Sequence, residues 1–522
     1  MKGIRRVLML IAVAATALGA APAPQQVDIL IRGGTVYTGS AKPFVGDVAI
    51  AGDRIRLVGP KLAAAPKRVI DAKGMIVAPG FIDPHTHMGE ALAADDAQTR
   101  LVPAFLMQGV TTAFIGNDGG GDPDVGAVLG RAARNPVGIN YAAFVGFGEV
   151  RRAVVGEADR APTPDELGRM RRMVATAMCG GALGLSTGLF YAPQSFASTA
   201  EVAALAREAG ARGGIYDSHI RDESSYSIGL AAAVDEAIEI GREGRLPVNI
   251  SHIKALGVDV HGQAPGIIAR IEDARSAGQR VTADQYPWSA SGTSLVAALV
   301  PRWAQDGGRP ALLRRFDDAG AAERLHTDMA ENLRRRGGPA SLLITGGPHR
   351  GRTLAAVAAE RRADPIAAAV AVIRVADPPV ASFNQTEEDI AAFMRRPWVM
   401  TGSDASSGHP RAFGSFARKY SEYVVRRRVL TLRQFIERST ALPADTFGLA
   451  GRGRLLPGAF ADIVVFDPEA YAARATYEHP TLLAAGVRAV LVNGVLAIEN
   501  GMLGGAAAGR ALVQTPPAGS CP

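Results

Sequence analysis

Between Val27 and Val77 apolar residues alternate with polar ones in short runs, "VDILIRGGTVYTG", "GDVAIAGDRIRLVG" and "KRVIDAKGMIVAPG". Gly-Gly, Gly-Asp and Lys-Gly break them, the pattern of short antiparallel strands joined by tight turns. The same texture returns in "PGAFADIVVFDP" and "VRAVLVNGVLAIENG". Residues 27–78 and 450–515 are therefore expected to form one small β-sandwich domain built from both chain ends. Across 79–449 the pattern changes. Apolar, β-branched runs ("VTTAFIG", "GALGLSTG", "GGIYDSHI", "PVNISHIK", "VTADQYP", "PWVMTGSD") alternate with helical stretches rich in Ala, Arg and Glu. Strand, loop and helix repeating at roughly 30–40 residues predict an α/β fold, a TIM-like (β/α)8 barrel. The gap between "PVNIS" and "VMTGS" is too long for two such units, which places an insertion near 295–345.

The first residues lie outside that pattern. "MKGIRRVLMLIAVAATALGAAPAP" has a basic start, an apolar stretch from Val7 to Leu18 and small residues after it. That layout is a secretory signal, expected to cover residues 1–21, and it is too short to span a bilayer. The expectation is an exported protein, periplasmic or secreted, with no membrane span in the mature chain. Two cysteines, Cys179 and Cys521, make no disulfide framework, so the fold is not expected to lean on one. The formal charge of +7 invites a nucleic-acid reading. The arginines are scattered, however, with no lysine-rich block and no basic patch interleaved with aromatics, so nucleic acid is not an expected partner.

Chemistry enters at the ends of the barrel strands. "APGFID" runs into His85 and His87, a pair one residue apart in a chain with only nine histidines. "TTAFIGN" leads to Asp118, "GGIYDS" to His219, "PVNIS" to His252 and "VMTGS" to Asp404. The C-terminal ends of barrel strands face one mouth, so residues far apart in sequence converge there. Imidazoles and carboxylates around one point make a zinc-type site, and a catalytic one keeps a position open for water. A metal lowers the pKa of that water and polarises a carbonyl, while a nearby carboxylate can carry the proton to the leaving amine. Taken singly, each histidine has an ordinary structural reading. As a set in barrel order, the candidate ligands are His85, His87, Asp118, His219, His252 and Asp404, with Asp404 also the candidate catalytic group.

With "PGFIDPHTH", the later single histidines and the terminal Ser-Asp, the chain resembles the amidohydrolase superfamily. Within it, the resemblance is to the N-acyl-D-amino-acid deacylases (D-aminoacylases). "GALGLSTGLFYAP", "YDSHIRDESS", "AVDEAIEIGR", "ISHIKALG", "VTADQYPWSA", "RPWVMTGSDAS" and "GHPRAFGSFAR" carry it, from about Val27 to Val513. The resemblance implies that His85, His87, His219 and His252 bind zinc, one or two ions, other divalent metals being possible. It implies that Asp404 is the carboxylate that activates water, and that Lys254 and Arg411 hold the substrate's carboxylate. Tyr191 and Tyr286 then match pocket tyrosines able to polarise the amide oxygen. Two positions depart from the family. Asp118 stands where it typically has a cysteine, and a carboxylate binds zinc less tightly than a thiolate. Phe147 stands where a histidine is usual. "GALGLSTG" holds no lysine that could be carboxylated to bridge two metals.

The expected function is hydrolysis of the amide of an N-acyl-(D-)amino acid, or a related small substrate, by metal-activated water. A dipeptidase or cyclic-amide hydrolase of the same superfamily is the alternative within enzymes. A non-catalytic binding protein on the same fold is the alternative outside them.

Overall fold

The computed structural model describes residues 25–521, and the expected signal segment lies outside them. Eight parallel strands build a barrel, numbered here in chain order: β1 (Phe81–Asp83), β2 (Val110–Ile115), β3 (Asn140–Ala143), β4 (Gly184–Gly188), β5 (Ile215–His219), β6 (Val248–Ile250), β7 (Val281–Gln285) and β8 (Val399–Thr401). β1, β2 and β3 pair in order, and Val145–Gly146, just past β3, pairs β4 and leads the ladder on through β8. The last seam closes at the mouth. Asp404 N–H donates to His85 O over 2.9 Å, and Thr86 bridges Ala405 in parallel. The residues that close the barrel are thus the candidate ligands themselves.

β1 and β2 are buried along their whole length. Strands covered on both faces read as unbroken apolar runs rather than as alternation, because helices pack outside and side chains fill the inside. Long helices such as Pro164–Cys179 and Leu230–Gly244 supply that outer cover. The first begins with Thr163 accepting from Glu166 N–H while Glu166 caps back, which satisfies end donors that would otherwise go unpaired.

The sheet domain joins both chain ends in one nine-stranded sheet. Its seam is Ile76–Pro79 lying antiparallel to Ile463–Phe466. A second antiparallel sheet, from Ala290–Ser294, Pro379–Phe383, Leu342–Ile344 and Arg352–Thr353, interrupts the barrel between β7 and β8. The extra chain thus extends on both sides of the stretch near 295–345. It carries its own apolar core around Leu299, Leu325, Met329, Leu333 and Val357.

The cysteine expectation is corrected here. Cys179 and Cys521 form a disulfide with a Cα–Cα distance of 5.8 Å across a sequence separation of 342. The C-terminal tail runs back along the barrel, where Leu512 N–H donates to Tyr141 O and Gln514 N–H to Gly181 O. That path delivers the last residues to the end of helix Pro164–Cys179. Two cysteines so far apart show no pairing signal in sequence.

Candidate metal centre

His85 and His87 follow β1, and Asn117 anchors them. Its Oδ1 accepts from Thr86 N–H, and its Nδ2 donates to Pro84 O and Asp217 Oδ2. Asp118 follows β2 with φ 55°, His252 follows β6 with φ 36° and Asp404 follows β8 with φ 50°. Three non-glycine residues in the left-handed region cost on the order of 1–3 kcal/mol each, and such strain persists only where surrounding bonds hold it. Gln194 is one such hold: its Nε2 donates to Asp118 O while its Oε1 accepts from Gly188 N–H. A Cβ at Gly188 would sit 2.5 Å from Asp118 O, so only glycine lets β4 approach this loop.

The Asp118 carboxylate lies among four imidazoles. Oδ1 is 3.3 Å from His85 Nε2 and 3.5 Å from His252 Nε2, while Oδ2 is 3.4 Å from His87 Nε2 and 3.6 Å from His219 Nδ1. Asp404 Oδ1 lies 3.1 Å from His87 Nε2 and 3.8 Å from His85 Nε2. Two ligand groups share Asp118, His85–His87–Asp118–Asp404 and Asp118–His219–His252, and His85 forms a third with Asp217 and Asp284. His85 Nε2 and Asp118 Oδ1 are buried without a hydrogen-bond partner while facing each other. Burying such atoms unsatisfied is costly, and a divalent cation between them removes the cost. The residues fit a metal.

Further carboxylates sit behind the imidazoles, and sequence reasoning did not single them out. Glu223 lies 3.2 Å from His252 Nδ1 and 3.7 Å from His219 Nε2, and it pairs with Lys254. Burial pushes the Glu223 carboxyl up, but Lys254, His219 and His252 together outweigh it and hold it below the usual carboxylate range. Asp284 Oδ1 accepts from His252 N–H over 3.0 Å and lies 4.0 Å from His85 Nδ1. Carboxylates in this position orient a ligating imidazole and raise its basicity. The available signal was an acidic residue inside an apolar strand, as in "VTADQ" and "GGIYDSHI", because a buried charge needs a partner.

Asp404 Oδ2 is 2.6 Å from Arg411 Nη1. Burial would raise the Asp404 carboxyl, but Arg411 and then the imidazoles of His252 and His87 prevail, so it stays ionised. Arg411 also donates to Ser406 Oγ over 2.8 Å. Lys254 Nζ lies 2.8 Å from His252 Nδ1. The Tyr191 ring packs at a tilt 4.8 Å from the His219 ring, and Tyr286 Oη accepts from Gln385 Nε2. Burial, then the charge of Asp118, pushes the Tyr191 hydroxyl up, and burial does the same at Tyr286. Both phenols therefore stay protonated and can donate. His87, Asp118, Tyr191, His219, His252, Lys254, Tyr286, Asp404 and Arg411 all line one cavity of about 430 Å³, and His85 is fully buried beside Asp118. Phe147 is buried in the main apolar core and adds nothing polar to the cavity.

A barrel with these ligands at its C-terminal mouth defines the class, a metal-dependent hydrolase acting on C–N bonds. The model of the amidohydrolase family matches residues 68–498. The chain is 35% identical to an N-acyl-D-glutamate deacylase of Alcaligenes xylosoxydans xylosoxydans, over 90% of this chain and 93% of that one. It is 34% identical to a D-aminoacylase of the same organism, over 94% and 98%. A solved structure of N-acyl-D-glutamate deacylase from Bordetella bronchiseptica, complexed with zinc and a phosphonate inhibitor, superposes with a TM-score of 0.80 at 33% identity. It covers 94% of this chain and all of that one. The chain belongs to the amidohydrolase family, within its N-acyl-D-amino-acid deacylase branch.

Proposed function

We propose that the protein is an exported, zinc-dependent deacylase that hydrolyses the amide of an N-acyl-D-amino acid. The observation that carries this reading is the Asp118 carboxylate set among four imidazoles, with Asp404 on the same cluster. When bound, the metal would supply electrophilic activation of the acyl carbonyl and of the attacking water. His85, His87, Asp118, His219 and His252 would hold it.

The remaining steps belong to the chain's own side chains. Asp404, ionised beside Arg411, accepts a proton from the attacking water and returns it to the leaving nitrogen. Tyr191, protonated and next to His219, donates to the acyl oxygen as negative charge develops there. Lys254, Tyr286 and Arg411 present donors to the substrate's α-carboxylate; its charge takes up part of the guanidinium that Asp404 otherwise holds. The test is turnover of N-acetyl-D- against N-acetyl-L-amino acids by protein stripped with a chelator and then reloaded with zinc. Zinc-restored release of free D-amino acid supports the reading, and selective turnover of a dipeptide or cyclic amide instead overturns it. Export is tested separately by N-terminal sequencing of protein from the medium or periplasm. A start at Met1 would contradict it.

A further inference from the structure

The other cations lining the cavity have charged partners: Lys254 faces Glu223 and Arg411 faces Asp404. Arg336 has none. It is 1% exposed, it lines the same cavity, and no carboxylate among the described residues pairs with it. Its Nε donates to Ala298 O over 3.1 Å, while its Nη1 is buried without a hydrogen-bond partner.

Its position follows from the inserted sheet. Helix Ala319–Arg335 ends at Arg336, and the preceding residue docks on the loop after β6, where Val258 N–H donates to Arg335 O over 3.0 Å. A Cβ at Gly257 would lie 2.2 Å from Arg335 O, so glycine permits this contact. The guanidinium is thereby set against the Tyr226 ring at 5.6 Å. The Tyr226 hydroxyl is also buried and unpartnered. A second cation, Arg302, stacks 3.9 Å over Phe190, a residue of the cavity wall. Burial first, and then the neighbouring Arg336 charge, lowers its pKa to about 10. A buried guanidinium left uncompensated is strongly unfavourable, and an anionic ligand removes that cost.

We infer that Arg336 forms a second anion subsite that takes the side-chain carboxylate of the substrate, so that the protein acts on N-acylated acidic amino acids. The inference rests on the deacylase reading and narrows its substrate class. The two oxygens of such a carboxylate match the guanidinium fork, whereas a side-chain amide brings no charge to neutralise.

The experiment compares N-acetyl-D-glutamate with N-acetyl-D-glutamine, near-isosteric compounds differing in charge, on the zinc-loaded full chain. The expected result is a kcat/KM at least about tenfold higher for the acid. In Arg336→Met that ratio falls to near one, and in Arg336→Lys part of it remains. A wild-type ratio near one overturns the inference, as does a ratio unchanged in Arg336→Met. Should Arg336→Met fail to fold by circular dichroism, the wild-type ratio and Arg336→Lys decide. If neither compound is turned over, the deacylase reading fails on its own. Calorimetric binding of the same two compounds then tests the subsite: tighter, Arg336-dependent binding of the acid supports it, and equal binding overturns it.

Discussion

The two ends of the barrel are built on opposite principles. Toward the N-terminal end, where Leu183 and Ile215 enter β4 and β5, Phe447 packs edge to face against Phe114 of β2 and Phe144 just past β3, with Phe114 and Phe447 centroids 4.7 Å apart, and Ile82 and Met400 join the cluster. The C-terminal tail crosses this end and is fastened by Cys179–Cys521. At the C-terminal end three residues have positive φ, buried polar atoms lack partners, and four imidazoles crowd around one carboxylate. One end is arranged for cohesion, and the other holds groups in states that folding alone would disfavour. The difference teaches where strain is affordable in a barrel: at the mouth, because the apolar end secures the strands that carry it.

The sharpest way to break this comparison is Asp404→Asn. The side chain keeps its shape but cannot take the proton, so turnover should fall about a thousandfold while at least one metal ion stays bound and circular dichroism stays near wild type. Near-wild-type kcat would remove Asp404 from the chemistry. Asp118→Ala comes next, because it takes one carboxylate from the two ligand groups that share it. Zinc affinity measured by chelator competition should drop at least about a hundredfold, exceeding the loss seen when only an orienting partner is removed, whereas Asp118→Cys should keep the site filled. Unchanged affinity in Asp118→Ala would make "NDGGG" an ordinary turn.

At the other end the effects should appear in stability rather than in rate. Phe447→Ala leaves a cavity in the aromatic cluster and should cost about 3 kcal/mol in thermal or urea unfolding, with kcat within a factor of two or so of wild type. A large loss of kcat without loss of stability would show that the two ends are coupled. The smallest effect on rate is expected from Cys521→Ser, which frees the tail but leaves its backbone hydrogen bonds. A stability loss of about 2–4 kcal/mol should follow, with kcat/KM unchanged. If activity falls with the disulfide, the tail does more than fasten the closed end.

Local pattern carried much of the architecture. Alternation at both chain ends announced the sheet, and the 79–449 segment announced the barrel, because strand burial and helix amphipathicity leave periodic marks in the chain. His85, His87, His219, His252 and Asp404 were legible for a related reason: they stand directly after apolar strands, and barrel geometry sends such positions to one mouth. Tertiary structure alone decided what depends on residues distant in sequence. It set Glu223 and Asp284 behind the histidines, paired Arg411 with Asp404, and joined Cys179 to Cys521. It also brought Arg336, from a helix of the insertion, into the cavity as an unpaired cation. A periodic pattern records which face of an element is buried. Which charges meet there depends on how elements dock, and docking is fixed by packing across hundreds of residues that no local window contains.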